Sequence, residues 1–226
     1  MPLLPVTYKG KLLEQVENFN KRPSNEKSGD FWEDKKNDQL RKYIKDHYIR
    51  KQNFTCVYCR QHIEVKHNGS WDAEHIIPKD KYPSFLFIPE NLCISCKDCN
   101  GQKSNKNVLV NTRKTKFPTK SEDYLIYHPH YDNYEDCITL LENSLLFLPK
   151  NSKGLKTIET CGLLRFLYKF SNHDTGSLED KIQITKLTTR LMEAQTAMEQ
   201  TYIYSMLEVV IARGKKACLE KSLEEL

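Results

Sequence analysis

The sequence predicts an α+β chain in which a small, loop-rich module lies between two helical regions, and three observations predict it. Apolar residues recur three and four apart on both sides of the module, the spacing of amphipathic helices. Two Cys-x-x-Cys pairs, Cys56/Cys59 and Cys96/Cys99, stand too far apart for a compact ribbon, so something must fold between them. The intervening residues contain a turn signal at Asn68-Gly69 and a strand-like run from Trp71 to Ile77 that Pro78 ends. Three regions follow: a helical segment over 1–55, the module with a β extension over 56–150, and a helical region over 151–226.

Leu12, Leu13, Val16 and Phe19 predict a short first helix, and Pro23 to Asp30 reads as a polar loop. Trp32 to about Lys51 carries Leu40, Tyr43, Ile44, His47 and Tyr48 at helical spacing, so a helix should lead into the first cysteine pair. Its cations, including Arg41, Lys42 and Lys45, make either a solvated face or a phosphate-contacting one.

Two residues between cysteines let one tight turn aim two sulfurs at one ion, and two such pairs complete a tetrahedral thiolate set. Cys56, Cys59, Cys96 and Cys99 are therefore candidate ligands for a structural Zn²⁺ that pins the ends of the module together. The competing reading is four reduced thiols. Cys93, Cys137, Cys161 and Cys218 lack such spacing and read as small buried apolar residues.

Glu74-His75-Ile76-Ile77-Pro78, then Asn91-Leu92, then Cys96-Lys97-Asp98-Cys99-Asn100 resembles the HNH endonuclease signature, over less than a quarter of the chain. The resemblance implies a zinc-stabilised ββα-metal core, a β-hairpin followed by a helix around one divalent ion. It implies His75 as general base, Glu74 and Asn100 as metal ligands, and Asn91 as the asparagine that ties down the loop and orients the base. Asp98 could add a carboxylate to the same ion or be an exposed turn residue. The chemistry suits these residue types, because histidine titrates near neutral pH and oxygen donors favour Mg²⁺ or Mn²⁺ over the zinc that sulfur selects.

After Asn100, Lys103, Lys106, Arg113, Lys114, Lys116 and Lys120 follow with no acidic residue among them. Such a run beside a metal site would contact nucleic-acid phosphates, and Lys103, Lys106, Arg113 and Lys114 are the candidates, with a solvated loop as the alternative. A strand should end at His128-Pro129, and His128, His130 or Asp132 could line the cleft or be structural. Leu140 to Leu148 reads as a hairpin, and Asn151 to Gly154 as a linker. Ser177 with Asp180 resembles a capping box opening one long helix through Ile184, Leu187, Leu191, Ala194 and Met198, stopping near Arg213-Gly214.

The HNH resemblance implies DNA, or RNA, as substrate, and the layout is similar to the HNH subunits of Septu-type and retron-associated antiphage systems, which implies an ABC-type ATPase as partner protein. A homing, restriction or phage-encoded HNH nuclease, or a non-catalytic zinc-organised nucleic-acid-binding module, is the alternative. A net charge of +5 permits a polyanionic partner without requiring one. No apolar run reaches membrane-spanning length, and the paired cysteines point to a reducing, cytoplasmic setting.

Overall fold

A computed structural model describes residues 2–64, 68–141, 146–166 and 178–224. The chain divides into two compact units, Met1–Cys137 with Lys150–Gly162, and Ile138–Pro149 with Leu163–Leu226. The expected α+β class is observed, with helices flanking two small antiparallel sheets.

In the first unit, α1 (Lys11–Asn20) buries Val16 and Phe19, and Phe19 packs between Phe31 and Phe87. The following polar stretch is ordered into two 3₁₀ turns, Ser24–Glu26 and Gly29–Glu33, where a loop was expected. A Cβ on Gly29 would meet Asp80 Oδ1 at 2.5 Å and its backbone at 3.2 Å, so only glycine lets this turn seat against Asp80. The second helix begins later than the periodicity suggested. Asp34 caps a further turn, and α2 runs Asp38–Lys51, which leaves Trp32 in the turn before it.

Helix α2 buries Leu40, Ile44 and Tyr48 at i, i+4 and i+8 against the hairpin of β1 (Trp71–His75) and β2 (Leu92–Cys96). The two strands pair antiparallel, with Glu74 opposite Cys93 and His75 opposite Leu92. On the far edge of β2, the Gln52 amide donates to Ile94 O at 2.9 Å and accepts from Ile94 N at 2.7 Å, standing in for a third strand. Ahead of β1, the described residues form only a Thr55–His62 bridge and a 3₁₀ turn at Asn68–Ser70; residues 65–67 lie outside them. Helix α3 (Lys97–Lys103) packs on both strands, completing a ββα unit. It ends at Ser104, whose positive φ turns the chain away.

No strand leads to His128; Tyr124 makes only a bridge to Leu109, and α4 (Tyr134–Cys137) follows. The expected linker at Asn151 is a helix cap. Asn151 Oδ1 accepts from Gly154 N at 2.8 Å and opens α5 (Ser152–Thr160).

The second unit contains the expected hairpin, β3 (Ile138–Leu141) with β4 (Leu146–Pro149). The single long helix expected here is two, α6 (Leu178–Glu193) and α7 (Ala197–Glu224), packed on each other. Arg213, expected near a helix end, is buried mid-helix, where it pairs with Asp180 and donates to Gln183 Oε1 at 2.8 Å. That partner set carries α7 through Gly214. Ser177 of the expected capping box and residues 171–176 lie outside the described residues.

Candidate metal centre and active cleft

The first cysteine pair sits in a tight turn after α2. Cys56 N donates to Gln61 O at 3.0 Å and Arg60 N to Cys56 O at 3.0 Å, with Arg60 in the left-handed region. The second pair spans the β2–α3 junction, where Cys96 Sγ caps the helix by accepting from Cys99 N at 3.5 Å. Cys96 N in turn donates to Cys56 Sγ at 3.3 Å, which locks the two knuckles together. All four Sγ atoms are buried and lie within 4.8 Å of one another. The Cys59–Cys96 separation is 3.8 Å, the edge of a tetrahedron with sulfur–zinc bonds of about 2.3 Å. Hydrogen bonding with Cys56 pushes the Cys59 and Cys99 thiols up, whereas the same sulfur network pulls Cys96 down. The cluster fits a structural zinc. Cys93, Cys137 and Cys161 are buried as expected, but Cys218 is exposed on α7.

A cleft of about 680 Å³ opens along β1, lined by Asp72, Ala73, Glu74 and His75 with Asn100 and Lys103 of α3. His75 is fixed from two sides. Its Nε2 lies 3.0 Å from Leu86 O, and Trp32 meets its ring edge-on at 4.5 Å between centroids. A carbonyl accepts only, so Nε2 carries the proton and Nδ1 the lone pair, a tautomer assigned from this contact. Burial pushes His75 down to about 3, with Leu86 O acting the other way, so the ring is neutral at physiological pH.

Asn91 holds the loop that provides Leu86. Its Oδ1 accepts from Ile77 N at 2.7 Å, and its Nδ2 donates to Ile77 O at 3.2 Å and Phe85 O at 3.1 Å. The Tyr82–Pro89 segment packs through Phe85, Leu86 and Phe87, all buried.

Glu74 is buried, and its Oε1 takes both a 2.7 Å ion pair with Lys103 and a 3.1 Å hydrogen bond from Tyr58. Burial pushes its carboxyl up while Lys103 pulls it down. Both of these contacts fall on Oε1, and Glu74 lines the cleft. Asn100 Nδ2 donates to Asp72 Oδ2 at 2.9 Å, which brings a further carboxylate to the same wall. Asp98 is exposed and does not line the cleft. Two positions apart on a helix lie about 200° around its axis, so Asp98 and Asn100 cannot face one side.

The basic run is placed differently from the expectation. Lys103 is 1% exposed and also donates to His75 O at 2.9 Å, making it a strut between α3 and β1 rather than a phosphate contact. Lys106 donates to Thr160 O at 3.0 Å and Lys114 pairs with Asp123 at 2.8 Å; neither they nor Arg113 line the cleft. His128 and His130 are buried away from it. His130 lies between Leu3 O and Leu92 O, each at 2.8 Å, and Asp132 pairs with Lys153 at 2.9 Å. Trp32, Tyr58 and Asp72 were not anticipated. Strand alternation carried a signal for Asp72, two residues from Glu74, whereas nothing in the sequence singles out Trp32 or Tyr58.

Residues 56–106 match the family model for HNH endonuclease, so that segment carries an HNH endonuclease domain. Over 172 residues the chain is 29% identical to the Septu protein PtuB of Bacillus thuringiensis, an alignment covering 70% of this chain and 65% of that protein. No solved structure matches the chain. No helix among the described residues is long and apolar enough to cross a membrane.

Proposed function

We propose that the chain hydrolyses phosphodiester bonds in DNA, with Mg²⁺ or Mn²⁺ at the cleft, as the nuclease subunit of an antiphage defence complex. The observation that carries this reading is the neutral His75, whose Nε2 is committed to Leu86 O and whose Nδ1 is left as the base. Nδ1 takes a proton from water as its oxygen attacks phosphorus. The Leu86 carbonyl then supports the imidazolium that forms. Asn91 keeps that carbonyl in place through the loop it closes. Glu74 Oε2 and the Asn100 amide oxygen would hold the divalent ion, since oxygen donors suit a hard cation. Bound there, the ion would stabilise charge on the phosphate and the leaving 3′ oxygen. The likeness to a Septu protein supports the defence role, and an ABC-type ATPase as partner protein is part of the same proposal.

Plasmid and single-stranded DNA incubated with wild type and His75→Ala across divalent ions test the reading. The variant should lose about 10²–10⁴-fold in rate with zinc content unchanged. Equal cleavage by both would remove His75 from the reaction. Mass measurement of the chain alone and with a candidate ATPase tests the assembly.

A further inference from the structure

The cleft extends beyond the segment that matches the family model. Helix α2 ends before residue 56, yet its Arg41, Lys42 and Lys45 line the same cleft as His75 and Asn100. The cations that line this cleft differ in what they are bound to. Arg41 pairs with Glu33 at 2.6 Å and with Asp38. Lys79 lies 3.3 Å from Gly29 O and 3.4 Å from Asp80. Lys103 is buried against Glu74. Lys42 and Lys45 make no hydrogen bond or ion pair among the described residues.

Positions 42 and 45 are three apart, so they share one side of the helix, while Leu40, Ile44 and Tyr48 occupy the buried side. Lys42 is exposed and Lys45 half-buried. Partial burial pushes the Lys45 ammonium down, and Asp72 is the first charge to pull it back, which places it in the field of the same wall that carries Asn100. Two unpaired ammonium groups beside a neutral base suit a repeating anion, and phosphate contacts of this kind fix register without reading bases.

We propose that Lys42 and Lys45 bind the phosphodiester backbone of the substrate, so that α2 and not the basic run after Asn100 provides the phosphate contacts of the cleft. This rests on the nuclease reading above.

The test uses the full chain carrying His75→Ala, so that bound DNA is not cut, and labelled duplex and single-stranded DNA followed by fluorescence anisotropy from about 50 to 200 mM salt. Adding Lys42→Ala and Lys45→Ala should weaken binding about tenfold and flatten the slope of log K against log salt by about 1.8 for duplex or 1.4 for a single strand. Lys42→Arg with Lys45→Arg should restore both. Arg113→Ala with Lys116→Ala, an equal change of charge off the cleft, should leave the slope unchanged. Zinc content and melting temperature confirm the fold in each case. An alanine pair that binds with the same affinity and slope overturns the proposal, as does an equal loss in the Arg113/Lys116 control. If the His75→Ala parent binds neither form of DNA, the DNA-nuclease reading itself falls and the proposal falls with it.

Discussion

The cysteine cluster and the cleft share one hairpin and one helix, yet they are built on opposite terms. Sulfur groups at the cluster are buried, mutually in contact and fixed by backbone N–H donors, with four ligands and no open position. Polar groups at the cleft are restrained by one or two partners each while still lining open space: Glu74 by Lys103 and Tyr58, His75 by Leu86 O and Trp32, Asn100 by Asp72. The difference shows how a short module divides its work. Closure at one end supplies the stability that lets the other end keep reactive atoms unsatisfied.

The largest effect should come from breaking the closed side. Cys96→Ser removes both a zinc ligand and the α3 cap, so zinc content should fall with a loss of several kcal/mol, about 10 °C or more in melting temperature. A zinc-free variant that melts like wild type would erase the contrast between the two sites. Next comes Lys103→Met, which leaves the Glu74 carboxylate buried without its cation and should cost about 3–5 kcal/mol in urea unfolding. Adding Glu74→Gln should recover part of that loss. Unchanged stability in the single variant would return Lys103 to the role of a mobile phosphate contact. Smaller again is Asn91→Ala, which orphans the N–H and the carbonyl of Ile77 at about 1–3 kcal/mol. Its cleavage rate should fall further than its stability explains, because Leu86 O no longer fixes His75. Equal proportional losses in rate and in folded fraction would make Asn91 purely structural.

Much of this contrast is legible in the chain. Paired cysteine spacing gives the cluster, because local turn geometry alone places two sulfurs together. The resemblance of Glu74-His75, Asn91 and Asn100 to the HNH signature implies the hairpin and helix. What the sequence hides is the direction in which a side chain faces across the tertiary structure. Lys103 looks like the first cation of a basic run, but the inward face of α3 makes it a buried partner of Glu74. Trp32 belongs to a helical pattern by spacing, yet the Asp34 cap displaces the helix and frees the indole to meet His75. The break between α6 and α7 has no proline or glycine to announce it; Thr196 caps α7, its Oγ1 accepting from Glu199 N at 3.1 Å while Glu199 Oε2 accepts from Gln195 N at 3.3 Å.

The smallest effect sharpens the comparison by separating acid sensitivity from both sites. His128 is fully buried, its Nδ1 accepts from His130 N at 3.3 Å, and its Nε2 has no partner among the described residues. Burial holds it well below the usual imidazole value of 6.5. The folded state therefore leaves it neutral below pH 6.5 while the unfolded chain takes up a proton, so stability is lost as pH falls, by up to about 1.4 kcal/mol per pH unit. Burial also lowers His130, with Leu92 O and Leu3 O acting against that shift, and lowers His75 in the cleft, so His128 is one of the buried imidazoles that contribute. His128→Asn gives up the ring stack on Tyr131 and starts from lower stability. Between pH 7.5 and 6 its stability should nevertheless fall more gently than that of wild type in urea titrations at constant zinc. Thiolate protonation acts on both proteins alike and drops out of the difference, so parallel slopes would assign the acid sensitivity to the cluster or the cleft instead.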